Sequence, residues 1–119
     1  MRVPTLLAML GLLALVGCSE TIPQLNERPA KFYEKSVSFT GHIVRIQEFP
    51  SETLLEVADA NERRILVRAQ GRPDANTGDW IKVRGVLVPE ARVGGTSVYD
   101  VVAAEEIQPV RPPFFRNLF

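Results

Sequence analysis

The sequence predicts an all-β domain, a small five-stranded barrel, following an N-terminal leader and short helical turns. Three observations carry this. Apolar and polar residues alternate in short runs from Ser36 onward, the period of strands with one face buried. Turn formers separate the runs: Phe49-Pro50-Ser51-Glu52, Asp59-Ala60-Asn61-Glu62, the stretch from Ala69 to Asp79, and Gly94-Gly95. The first run is long, contains Gly41 and slips phase after Ile43, as a bulged and sharply bent strand does. Closure would remove the bare edges that make small sheets aggregate. A split sheet or small sandwich is the alternative.

The chain divides into a leader over 1–17, a segment with short turns over 18–35, the barrel over 36–108 and a Pro/Phe-rich tail over 109–119. In the leader, Met1-Arg2 forms a minimal positive start, and Leu6 to Val16 is apolar with only Gly11 interrupting. Such a run rises about 16 Å as a helix, short of the roughly 30 Å hydrocarbon core, so it suits export better than permanent spanning. The alternatives are an ordinary signal peptide that happens to contain a cysteine, or an uncleaved helix.

After the leader, Thr21-Ile22-Pro23-Gln24 has the form of a capping box, and Pro29 opens a second turn through Phe32 and Tyr33. Their rings would plug one end of the barrel. If these turns form, little free linker remains; the other reading is a loosely ordered tether. The first strand starts at Ser36 with Val37, Phe39, Gly41 and Ile43 on its core face. The second, Thr53 to Ala58, turns Leu55 and Val57 inward, and the third, Arg63 to Arg68, turns Ile65 and Val67 inward. The fourth runs from Trp80 to Val88, with Pro89 expected to stop it. The fifth, Val98 to Ala104, places Tyr99, Val101 and Ala103 together on one face, with Tyr99 expected in the core. Pro109, Pro112 and Pro113 are expected to prevent further pairing.

Two resemblances add to this. Leu15-Val16-Gly17-Cys18 resembles the lipobox of bacterial lipoproteins. It implies that Cys18 is diacylglycerylated, that the leader is cut before it, and that the mature chain is held at the membrane by more than one acyl chain. Ser19 stands where an Asp would favour the inner membrane in enteric-type lipoproteins, which implies the outer membrane with the domain facing the periplasm. Val37-Ser38-Phe39-Thr40-Gly41-His42-Ile43, Gly78-Asp79-Trp80-Ile81-Lys82-Val83-Arg84-Gly85 and Tyr99-Asp100-Val101-Val102-Ala103 are similar to strand patterns of the OB-fold. The likeness runs from Ser36 to Gln108, and departs from the family in lacking a helix between the third and fourth strands.

The chain carries 14 basic and 14 acidic residues, so it has no global attraction to nucleic acid or anionic lipid. His42 is the one histidine and Cys18 the one cysteine, no paired metal-ligand spacing exists, and the serines lack an evident base. A catalytic site, a metal and a cofactor are therefore not expected. Arg64 and Arg68 share the outer face of the third strand, and Lys82 and Arg84 follow on the fourth. They are the candidate ligand-binding set, for an oligonucleotide or glycan. Strands two and three lack aromatics to stack bases, which disfavours nucleic acid. The simpler reading is a solvated arginine face balanced by Glu52, Glu56 and Glu62. In the tail, Phe114, Phe115 and Phe119 form a candidate partner-binding patch that either packs on its own barrel or docks elsewhere. The expected partners are the membrane, through an acylated Cys18, and another envelope protein.

Overall fold

The computed structural model describes residues 20–112. Cys18, the leader and the phenylalanines of the tail lie outside the described residues. Helix α1 (Ile22–Glu27) is short and carries the predicted capping box: Gln24 N donates to Thr21 Oγ1, and Thr21 N to Gln24 Oε1. Its inner face, Ile22 and Leu25, is buried. Pro29 then opens a short 3-10 turn (Pro29–Lys31), after which Phe32 and Tyr33 pack half-buried against the core.

Five strands follow: β1 (Ser36–Glu48), β2 (Glu52–Ala58), β3 (Arg64–Gln70), β4 (Trp80–Val93) and β5 (Thr96–Pro109). They close in the order β1-β2-β3-β5-β4 and back to β1. Every neighbouring pair is antiparallel except β3 and β5, which run parallel over Leu66–Arg68 and Val101–Ala103. The predicted phase slip in β1 is a bulge between Ile43 and Arg45, where the strand leaves β4 and begins to follow β2. The core is the inner phase of all five strands, with Phe39, Ile43, Leu55, Val57, Val67, Ile81, Val83 and Leu87 at or near zero exposure.

One end of the barrel, at the start of β3, is closed by α1, whose Asn26 side chain donates to the Arg64 carbonyl. The loop between β3 and β4 lies at the end of β3 and contributes the buried Ala75. It forms no helix, as expected, and is held through Gly78 N to Ile43 O and Ile43 N to Asp79 O.

Three expectations need correction. β4 does not stop at Pro89 but continues to Val93. β1 covers β4 only as far as Val86 and the Tyr33–Glu34 segment takes Leu87, so Pro89 lies past both on that edge, where a proline costs no ladder bond. β5 likewise continues past Ala104 to Pro109, which faces Ile81, and Val110 N still donates to Trp80 O. Tyr99 is not in the core: it is 63% exposed, and it shares its phase with Val101 and Ala103, which oppose the outward-facing Leu66 and Arg68 of β3, while Val102, Ala104 and Ile107 face the core.

Candidate binding face

The polar phase of β1, β2 and β3 forms an outer surface bordered by the β4–β5 hairpin. β2 turns Leu54 and Glu56 outward while Leu55 and Val57 face the core; β3 does the same with Arg64, Leu66 and Arg68. Two shallow grooves cross this surface. One, of about 220 Å³, lies among Arg45, Gln47, Leu54, Glu56, Leu66 and Val98. The other, of about 170 Å³, is lined by Asn26, Glu56, Arg64, Leu66, Tyr99 and Asp100. Glu56 and Leu66 belong to both, so the grooves meet on β2 and β3.

The hairpin is held over this face from two sides. At its turn, Gly94 has a left-handed backbone and lies against the Phe49 ring, where a Cβ would come within 2.1 Å. Near its base, the Tyr33 hydroxyl donates to Asp100 Oδ1, and Asp100 itself has a positive φ of 53°. The Asp100 carboxylate that accepts this proton, with some desolvation, raises the Tyr33 pKa above 10.0.

The four candidate cations do not form one patch. Arg64 and Arg68 lie on β3 and Lys82 and Arg84 on β4, with β5 between the two strands. Arg64 contacts Glu56 at 3.0 Å and Glu62 at 3.9 Å. Arg84 contacts Glu105 at 3.4 Å and Glu106 at 3.7 Å. Of the carboxylates expected to balance the arginines, Glu56 and Glu62 do so. Arg68 is half-buried on the wall of a separate cleft of about 590 Å³, where β3 and β5 part and Glu105 and Glu106 stand on the other wall. Lys82 is exposed, between Thr40 of β1 and Gln108 of β5.

The apolar part of the face, Leu54, Leu66, Val98 and Tyr99, was not singled out from the sequence. The signal was there for two of these residues, because leucines at positions 54 and 66 fall on the polar phase of their strands. Among the described residues, no group of three His, Cys, Asp or Glu side chains is placed to hold a metal ion. Among the same residues, no helix is long and apolar enough to cross a membrane.

No protein-family model and no curated protein matches this chain. Solved structures do. A chain described as an aspartyl-tRNA synthetase from Leishmania major aligns with a TM-score of 0.61 at 14% identity, covering 79% of this chain and 21% of its own length. This protein therefore spans about a fifth of that synthetase chain. An OBody, AM3L09, solved bound to hen egg-white lysozyme, aligns with a TM-score of 0.54 at 12% identity, covering 68% of this chain and 86% of its own. A second OBody, AM1L10, also bound to lysozyme, gives 0.51 at 12% identity, covering 68% and 84%. At these identities the likeness concerns fold alone, and with the strand order and the single parallel pair it establishes an OB-fold domain.

Proposed function

We propose that this protein is a non-catalytic envelope lipoprotein, anchored through an acylated Cys18, whose barrel binds a protein partner on the outer face of β1, β2 and β3. The observation that carries the choice of partner is the chemistry of that face. Its centre is apolar, with a half-buried Leu66 beside the buried Leu54, flanked by Val98 and an exposed Tyr99, and its two cations both stand beside Glu56, which Arg45 opposes in register and Arg64 contacts at 3.0 Å. An apolar centre with a rim of both charge signs suits a protein surface. A phosphate backbone asks for unpaired cations and stacking aromatics along a groove. The OBody chains solved bound to lysozyme support the reading in kind, being OB-folds in complex with a protein. The anchor is supported by the lipobox at residues 15–18, and the outer-membrane, periplasm-facing placement by Ser19.

The test compares the acylated protein with a Leu66→Asp, Tyr99→Ala form of the same melting temperature, each captured from envelope extracts. A partner held by the first and lost by the second supports the reading. Binding of a single-stranded oligonucleotide with a steep salt dependence would replace it with the nucleic-acid alternative through Arg64, Arg68, Lys82 and Arg84. An intact mass without acyl chains would remove the anchor.

A further inference from the structure

β2 begins to pair with β1 only at His42, so the first half of β1 has an edge covered by neither β2 nor β4. The N-terminal segment fills it. Glu20 N donates to Ser38 O at 2.8 Å, and Ser38 N donates to Glu20 Oε2 at 2.9 Å. Two residues further on, Ile22 enters the core, and Leu25 follows, each 1% exposed. The chain is therefore part of the barrel from Glu20 onward, and only Ser19 stands between that fixed point and Cys18. Two Cα steps reach about 7 Å.

We propose that the bilayer surface is a docking partner of this barrel, meeting the side of β1 that the N-terminal segment covers and the neighbouring β2–β3 turn, with the β4–β5 turn directed away from the membrane. The proposal rests on the lipid-anchor reading above. An acyl glycerol attached at Cys18 lies at the headgroup boundary, and about 7 Å of chain does not let a barrel stand off or turn over. The β2–β3 turn is on the same side as the attachment point. Ala58 opposes His42, and the turn beyond it brings the Glu62 carboxylate to 3.6 Å from His42 Nε2. At the other end of β1, Phe49 meets Gly94, eleven residues on from Ser38, or about 36 Å of strand at ~3.3 Å per residue. The groove beside Arg45, Gln47 and Val98 belongs to that far half, where a partner in the aqueous phase reaches it.

Single cysteines at Asn61→Cys in the β2–β3 turn and Thr96→Cys beside the β4–β5 turn read the orientation, since both positions are exposed. The acylated thiol of Cys18 is blocked to labelling. Each variant, fluorophore-labelled, is reconstituted in vesicles of phosphatidylethanolamine and phosphatidylglycerol containing a headgroup-linked quencher. The expected result is quenching several-fold stronger at position 61 than at position 96. A flexible Gly/Ser insert of about 20 residues between Ser19 and Glu20, with an r.m.s. reach of about 25 Å, is expected to abolish the difference. Equal quenching at the two positions in protein that floats with the vesicles overturns the proposal, as does stronger quenching at position 96. Protein that neither floats nor carries acyl mass overturns the anchor itself, a separate failure.

Discussion

Gly85 offers the sharpest test of how this barrel closes. It sits on β4 beside the register shift at Arg84, where β5 takes in one extra residue. A Cβ built there would lie 2.2 Å from the Ala103 carbonyl oxygen and 2.9 Å from both Ala103 C and Ala104 Cα. These atoms are strand backbone, so no rotamer change relieves the contact. Restoring a normal separation needs β5 to move by about 1 Å while it remains paired with Val83 through Ile107 and with Val86 through Ala103. Overpacking of this kind costs about 1–3 kcal/mol, and a fixed backbone places Gly85→Ala at the upper end. Replacing a strand glycine returns about 0.5–1 kcal/mol. The net expectation is a loss of about 2 kcal/mol, or about 8–16 °C in melting temperature for a domain of this size. The assay is thermal unfolding by circular dichroism of the mature Cys18→Ser chain. Gly41→Ala supplies the internal comparison, because its Cβ meets the Ala58 oxygen and Val57 Cγ1 at 2.7 Å, a milder overlap with one movable neighbour. A Gly85→Ala melting temperature within about 2 °C of wild type, or a larger loss for Gly41→Ala, would refute the placement of β5 against β4.

Other consequences follow from the same contacts. Leu25→Ala empties a fully buried position at the plugged end of the barrel and is expected to cost about 2–5 kcal/mol, measured by urea unfolding. Arg64→Ala removes an exposed ion pair and is expected to change stability by about 1 kcal/mol or less in the same assay. Tyr33 has its pKa raised by donating to Asp100, so the stability it contributes is complete below the ordinary tyrosine value of 10.0 and is lost as pH rises through the higher folded value. The wild-type melting temperature should therefore fall with pH in that alkaline range more steeply than that of Tyr33→Phe. Tyr99→Ala removes an exposed ring from the hairpin and is expected to leave the melting temperature unchanged while weakening partner binding by tenfold or more, read by titration of the captured partner.

Local features were legible in the sequence because they depend on near neighbours. The α1 cap needs only Thr21, Pro23 and Gln24, and the bend in β1 announces itself in Gly41 and the phase slip before Arg45. Features outside the core were not. Alternation along β5 groups Tyr99 with Val101 and Ala103, but two adjacent valines and two adjacent alanines leave open which phase faces the core, and the fold turns Val102 and Ala104 inward. Pro89 looked like a stop because a proline in a doubly paired strand is one, and only the tertiary fold shows that β1 has already left β4 at Val86. Ile22 and Leu25 gave too short a periodic signal, in a helix of six residues, to be recognised as core.

The arginine set shows the same limit at the level of function. Strand parity correctly placed Arg64 with Arg68 and Lys82 with Arg84, and a plain meander would have set those two strands side by side. The parallel pairing of β3 with β5 inserts a strand between them, so cations close in sequence separate in space. Their neutralisation divides along the same line. Arg64 meets Glu56 across the β2–β3 hairpin, where Ala58 opposes Arg64 and Glu56 is its diagonal neighbour, a contact that hairpin register alone predicts. Arg84 meets Glu105 and Glu106 from β5, at the point where that strand takes in its extra residue. A count of charges along the chain cannot see that second pairing. With both arginines engaged, the apolar centre between β2, β3 and the hairpin has the stronger claim to the partner proposed for this barrel.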